Sequence, residues 1–319
     1  MTAAKFYTHP LGIMAASVGA TLLWGSAYPF IKLSYEALDI HANETYEQLL
    51  FAGYRFTLAG LLILLFMIIR RERLGYQRGS AGLVGGIALL QTVLQYTFFY
   101  MGMSMSAGMV GAVIAGAISF FQILLAHFFY RDDRLTGSTA LGLLVGFTGL
   151  IVLGLYKHHG DNSILFSTGE LLLLASAFTN ACANLLSRRA AGAFSVSYIN
   201  GYQMVMGGIV LCAISVWKTG WSPFVFNWQS SFILLHLAVV SALGFMLWNN
   251  VMKYNRVGSV SMYLFLIPVF GVVQSSLLLS EQLHAAVLLA LMLVSLGIII
   301  VNRRKARGER IDHKHVREN

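Results

Sequence analysis

Charge is scarce in this chain. Only 11% of the 319 residues are Asp, Glu, Lys or Arg, against 57% hydrophobic residues and a mean hydropathy of +0.69. That balance excludes an ordinary soluble domain. No hydrophilic stretch is long enough to hold a soluble catalytic domain. Cysteine is nearly missing: Cys182 and Cys212 both fall in apolar segments, so they read as small packing residues and not as a disulfide or metal pair. The thirteen acidic residues all lie in loops, tails or the ends of apolar segments, none at the middle of one. A phosphate-binding loop is also missing, which excludes nucleotide as a partner and direct ATP drive. His158, His159, His313 and His315 sit in polar loops or the tail and read as solvated surface, with metal binding the alternative. No cofactor and no metal are expected.

What the chain has in abundance is long apolar runs. Ten stretches, near 11–33, 49–69, 81–103, 106–129, 138–156, 169–187, 198–217, 231–251, 258–279 and 284–301, approach the length of about 20 residues that a helix needs to cross hydrocarbon. The first is too long for a signal-peptide core and lacks a small-residue cleavage site, so it reads as a span. Of the 22 Lys and Arg, 18 fall in the two termini and the even-numbered gaps, whereas the odd-numbered gaps hold only Lys157 and Lys218. The positive-inside rule then predicts an all-α, multi-pass protein of the cytoplasmic (inner) membrane with both termini cytoplasmic. The same asymmetry accounts for the net charge of +9 without a nucleic-acid partner.

The second half repeats the first at an offset of 148 residues. Gly149 matches Gly297, Asp133-Arg134-Leu135 matches Glu281-Gln282-Leu283, and Tyr54-Arg55 falls on Tyr202-Gln203. With a small gap, Lys32 lands on Arg188. Because each half holds five spans, the second enters the membrane from the opposite face. Inverted repeats of this kind suit secondary transporters, in which exchange of the two halves' conformations turns an outward opening into an inward one. The expected organisation is a cytoplasmic segment 1–10, a five-helix repeat 11–156, an extracytoplasmic linker 157–168, a second repeat 169–301 and a basic cytoplasmic tail 302–319.

Trp24-Gly25-Ser26-Ala27-Tyr28-Pro29-Phe30-Ile31-Lys32 resembles the first-helix signature of the drug/metabolite transporter superfamily, in its EamA-type branch. Arg55, the sequence from Pro268 to Glu281 and Leu283, and the final run Leu289–Val301 with Gly297 and Asn302-Arg303-Arg304 are similar to the same family in order and spacing. Phe120 departs from it, standing where a proline is expected. The resemblance spans roughly 14–301. It implies ten transmembrane helices in two inverted repeats, and a central cavity lined by helices one, three, four, six, eight and nine. Helices five and ten are peripheral in that picture, and the cargo of such proteins is amino acids, amines, sugars or other small metabolites.

Candidate pathway residues follow from the cost of burying polar groups in lipid. Gln91 and Gln95 share a helical face in span three, with Tyr96 and Phe99 beside them; Asn180 and Asn184 do the same in span six. Trp248 and Asn249 in span eight and Gln274 in span nine add to the set. Each amide is either interhelical glue or pathway lining. Trp24 and Tyr28, four apart, supply either core packing or an aromatic box for the apolar or cationic part of a ligand. Arg55 is the one clearly embedded charge. It is a carboxylate anchor or gate, or else a structural arginine bonded to carbonyls and aided by the acidic first loop (Glu36, Asp39, Glu44, Glu47). Lys32, at a span edge, is a gate or a snorkelling side chain. Pro29 and Pro268 each free one helical carbonyl and are hinges or fixed bends. Gly142, Gly146 and Gly149 form a small-residue stripe for packing within the chain, with a homodimer contact as the second use.

The sequence thus predicts a secondary transporter with the lipid bilayer and a small-molecule substrate as partners, exporting amino acids or related zwitterions by alternating access. A multidrug or amine exporter is the alternative, disfavoured by the want of a mid-membrane carboxylate. An integral membrane enzyme acting on lipid is remote, because no His, Asp, Glu or metal constellation gathers at an interface.

Overall fold

A computed structural model of the chain describes residues 3–129, 137–157, 166–255, 260–297 and 299–300. Among these the protein is all helical, with no strand. A short helix, Ala3–Thr8, leads into α1 (Pro10–Leu38), α2 (Thr45–Ile69), α3 (Ser80–Ser104), α4 (Gly108–Phe129) and α5 (Gly137–Lys157). Then follow α6 (Thr168–Ala193), α7 (Val196–Thr219), α8 (Trp228–Tyr254), α9 (Leu266–Leu279) and α10 (Ala285–Gly297). Among the described residues seven helices, α1 to α4 and α6 to α8, are long and apolar enough to cross a membrane. The other three expected spans coincide with α5, of 21 residues, and with the shorter apolar helices α9 and α10. Asp133, Arg134, the four histidines at 158, 159, 313 and 315, and the basic tail lie outside the described residues.

Two helices run past the expected apolar windows. α1 continues to Leu38, not 33, and α6 to Ala193, not 187, because polar residues extend a helix wherever its end is capped. α1 stops at Asp39, left-handed at φ 55°, whose N–H reaches the Tyr35 and Glu36 carbonyls. α6 starts on a capping box: the Ser167 N–H donates to the Glu170 carboxylate at 2.9 Å, and the Ser167 hydroxyl accepts from the Glu170 N–H.

Two helices are irregular where the sequence reads as uniform. α3 carries a π-helical stretch over Ala88–Leu94. α4 is interrupted at Gly116, whose N–H bonds back to the Val113 carbonyl at 3.0 Å, so its break comes from a glycine and not from the proline that Phe120 replaces. A 3₁₀ turn, Ser261–Phe265, leads directly into α9 and stands just before Pro268.

The helices pair α2 with α7, α1 with α8 and α9, α6 with α3 and α4, and α4 with α9. Exchanging the two halves maps this set onto itself: α1–α8 becomes α6–α3, α1–α9 becomes α6–α4, and α2–α7 and α4–α9 return to themselves. The α2–α7 contact is backbone to backbone. A Cβ added at Gly60 would lie 2.7 Å from the Val205 nitrogen, and one at Gly208 would lie 2.5 Å from the Thr57 nitrogen. Lipid tails are as apolar as leucine, so this close van der Waals approach, and not hydrophobic burial, holds such helices together. The Gly142–Gly146–Gly149 stripe of α5 is covered from within the chain, by Phe120 of α4 and by Ala290 and Gly297 of α10. Large apolar side chains such as Leu61, Leu65, Ile69, Ile209 and Leu277 face outward, as a lipid-bathed surface requires. Trp217, Trp221 and Trp228 are exposed at adjoining ends of α7 and α8, a position suited to the headgroup layer.

Replacing Gly60 by Leu is expected to lower the thermal unfolding midpoint of the detergent-purified protein, at a cost of about 1–3 kcal/mol or more from overpacking. Gly82→Leu, where an added Cβ meets nothing within 4 Å, should leave the midpoint unchanged.

Candidate functional site

Among the described residues the paired helices leave a partly open central cavity. It is lined by Trp24 and Tyr28 of α1, Arg55 of α2, Gln95, Tyr96 and Phe99 of α3, Ala115 and Ile118 of α4, Ser176 and Asn180 of α6, Phe245 of α8, and Leu264 and Ile267 around the start of α9. Measured as room for the centres of water molecules it holds 60 Å³, enough for roughly four to six waters. Among the described residues α5 and α10 contribute no lining residue, and α2 reaches the cavity through Arg55.

Arg55 is the chemical centre of this cavity. It stands ten residues into α2, about 15 Å along the helix, deeper than the apolar window suggests. Only 1% of it is exposed. Its Nε donates to the Ser241 hydroxyl at 2.9 Å and to the Leu237 carbonyl at 3.2 Å, both on α8. One terminal nitrogen donates to the Tyr100 hydroxyl at 3.2 Å. The guanidinium carbon lies 5.0 Å and 5.4 Å from the ring centres of Phe56 and Tyr96, close enough for cation–π attraction. Every one of these partners is neutral. The acidic first loop does not neutralise it: Glu44 accepts from the His41 N–H at 2.7 Å and Asp39 lies 3.8 Å from His41. Distance decides this, since the loop caps the helix end while the guanidinium lies turns below it. Gln203, which matches Arg55 in the second half, takes the same kind of bond across the other interface, accepting from Thr92 of α3 at 2.7 Å.

Around the cation the lining is aromatic. Trp24 packs edge-on to Phe245 at 5.2 Å, and Trp24 meets Trp248 at 5.9 Å. Tyr28 meets Phe99 at 5.5 Å. Two buried polar atoms of lining residues have no hydrogen-bond partner among the described residues: the indole N–H of Trp24, which packs against Gly244 of α8, and the amide oxygen of Gln95. One can donate and the other accept.

The other candidate residues separate by position. Gln91, Asn184 and Gln122 lie about one to two turns from the cavity along α3, α6 and α4 and form a buried amide network. Asn184 donates to Gln122 at 3.0 Å and to Asn180 at 2.8 Å, Gln91 donates to Asn184 at 3.3 Å, Ser187 donates to Gln91 at 3.4 Å, and Gln122 donates to Ser261 at 3.0 Å. Gln91 and Asn184 therefore act between helices and do not line the cavity. Trp248 is fully buried behind Trp24, and Asn249 donates to Asn200 of α7 at 2.8 Å. Gln274 donates to the Leu22 carbonyl at 3.3 Å. Lys32 borders a separate crevice of 360 Å³ with Glu36, Ser104, Ser106 and Glu281. The Glu281 carboxylate there accepts from the N–H groups of Gly108 and Met109 at 2.8 and 2.9 Å, capping α4 from another helix pair. Ser176 and Phe245 were not chosen from sequence. Their spacing carried the signal, four residues before Asn180 and three before Trp248.

The model of the EamA-like transporter family matches residues 10–155 and again residues 167–303. The chain belongs to this family, whose members are transporters and not enzymes. It is 27% identical over 291 residues to an uncharacterized transporter, YvbV, of Bacillus subtilis (strain 168), covering 89% of each chain. It is 24% identical to a probable amino-acid metabolite efflux pump of Escherichia coli (strain K12), over 91% of this chain and 93% of that one. A solved crystal structure shares the fold with a TM-score of 0.70 at 17% identity, covering 94% of this chain and 100% of the other.

Asn184→Ala would leave the amides of Gln91 and Gln122 without their shared partner. We expect a loss of roughly 1–3 kcal/mol in stability, read as a lower unfolding midpoint; an unchanged midpoint would show that the three amides are not joined.

Proposed function

We propose that this member of the EamA-like transporter family exports small carboxylate-bearing metabolites, amino acids and related zwitterions foremost, through the central cavity. The observation that carries the reading is Arg55: a guanidinium on the cavity wall whose partners are all neutral. A bidentate carboxylate is the complement such a fork favours. The Gln95 oxygen and the faces of Tyr28, Phe99 and Trp24 suit an ammonium group or an apolar side chain. The relation to a probable amino-acid metabolite efflux pump supports this cargo. A lipophilic cation finds the aromatic faces but also a like charge at Arg55, which disfavours the multidrug or amine reading.

Transport runs by alternating access in this proposal, with 11–156 and 169–301 as inverted repeats that rock about the α2–α7 contact. The exchange symmetry of the helix pairs supports it. Pro29 and the 3₁₀ turn before Pro268 supply the bends. The clustering of Lys and Arg supports a cytoplasmic-membrane location with both termini inside.

A thermal-shift panel of amino acids, carboxylates, polyamines, nucleosides and lipophilic cations tests the reading. A ligand at about ten times its dissociation constant adds roughly 1.4 kcal/mol. Stabilisation by carboxylate-bearing solutes that disappears in Arg55→Gln is the expected result. Stabilisation confined to lipophilic cations and retained in Arg55→Gln would overturn it.

A further inference from the structure

His236 is the one imidazole among the described residues that sits well inside a membrane helix. It lies eight residues into α8, about 12 Å from the helix start. The other described histidines, His9, His41, His127 and His284, stand at or beyond helix ends. Its Nε2 is 3.1 Å from the Ser26 hydroxyl of α1, and its ring lies against Phe30 with centres 4.0 Å apart. Phe232 of its own helix stacks at 6.5 Å.

The tautomer follows from counting hydrogens. A serine hydroxyl has one proton, and Ser26 donates its proton to the Leu23 carbonyl at 2.7 Å. Ser26 therefore accepts from His236, so Nε2 carries the hydrogen and Nδ1 is the free base. Nδ1 has no hydrogen bond among the described residues, and His236 is partly exposed at the edge of the α8 face that carries Phe232 and Leu235, outside the cavity lining. A proton can bind there without breaking the tie to Ser26, and the imidazolium would lie over the Phe30 face.

Position links this group to the site. Ser26 precedes two residues of α1 near the cavity, and Tyr28 lines it. Leu237, next to His236, gives its carbonyl to Arg55. Ser26 and Phe30 of α1 and Phe232 of α8 touch His236, and the charged group Arg55 of α2 is tied to the next residue of α8 through the Leu237 carbonyl. No carboxylate pairs with it among the described residues. Two cations so placed repel, and an anion on Arg55 removes that repulsion.

We propose that His236 is the proton-binding site of the transport cycle, and that a proton on Nδ1 and a substrate carboxylate on Arg55 bind cooperatively and are carried together. The proposal rests on the reading of Arg55 as the carboxylate partner. The step is a protonation: imidazole and one proton give imidazolium, and the carboxylate adds the compensating charge. Beyond the carrier's own charges, the load of proton and substrate carries no net charge for acetate and one positive charge for zwitterionic L-alanine. Flux then follows the combined gradients, outward when the metabolite accumulates.

The test uses the full chain in lipid nanodiscs, with acetate and L-alanine as probes, at about pH 5.5 and about pH 8, on either side of the ordinary imidazole range. Wild type should bind roughly fivefold or more tightly at the lower pH, the lower end of a typical coupling. His236→Gln, whose amide can still donate to Ser26, should bind with equal affinity at both. A second measurement needs no variant: in weakly buffered wild-type samples, pH-matched acetate or L-alanine should draw protons from solution as it binds. Binding that depends on Arg55 but is the same at both pH values, or pH dependence that survives in His236→Gln, overturns the proton site alone. No binding of either probe at either pH overturns the Arg55 reading and the coupling with it.

Discussion

Hydrocarbon offers no hydrogen-bond partners, so each polar atom that these apolar helices carry inward must meet another helix, water or a ligand. The chain meets that constraint in two ways. Along one side of the cavity, Gln91, Asn184, Gln122 and Ser261 satisfy one another across α3, α6, α4 and the start of α9. Around the cavity itself satisfaction is incomplete. Among the described residues Arg55 has hydroxyls, a carbonyl and ring faces but no counter-charge, while the Trp24 indole and the Gln95 oxygen have no partner. A buried cation without an anion is costly, and in the proposed reading a small substrate anion supplies the missing charge.

The same constraint shapes the parts that move in the proposed cycle. Helices that pack through glycine, as α2 and α7 do at Gly60 and Gly208, approach closely enough to form a fixed contact at the centre of the pairing pattern. The interfaces on either side of it carry side-chain hydrogen bonds, between Ser26 and His236 for α1 and α8 and in the amide network for α6, α3 and α4. Bonds of that kind can be exchanged for others at small net cost, whereas backbone contact cannot. Arg55 to Ser241 and its counterpart Gln203 to Thr92 occupy related interfaces, charged in one half and neutral in the other. The repeat is thus symmetric in packing but not in chemistry.

Much of this was legible in the sequence. The apolar runs and the loop charges give the helical membrane architecture, because span length and insertion energetics act locally. Trp24, Tyr28, Gln95, Tyr96, Phe99, Asn180 and Arg55 were found by spacing and polarity, and they meet in one cavity. Gln91 and Asn184 have the same spacing signal, yet they face each other, since a period of four fixes a shared face but not what lies opposite. The acidic loop's failure to reach Arg55 depends on three-dimensional distance. Gly116 and the π stretch Ala88–Leu94 interrupt helices whose apolar pattern is continuous. His236 sits in Leu-Leu-His-Leu-Ala, a context without a polar neighbour, and its partner Ser26 is 210 residues away.

The central claim is that the Arg55 cavity is an aqueous pathway with a positive potential. The direct measurement is thiol reactivity at its wall, in an Ala115→Cys protein whose Cys182 and Cys212 are replaced by Ser. Anionic and cationic methanethiosulfonates of similar size would be compared in lipid vesicles. The account predicts that both reagents reach the thiol, that the anionic one reacts faster, and that Arg55→Gln abolishes the difference. An unreactive thiol, or faster reaction with the cationic reagent, would contradict it.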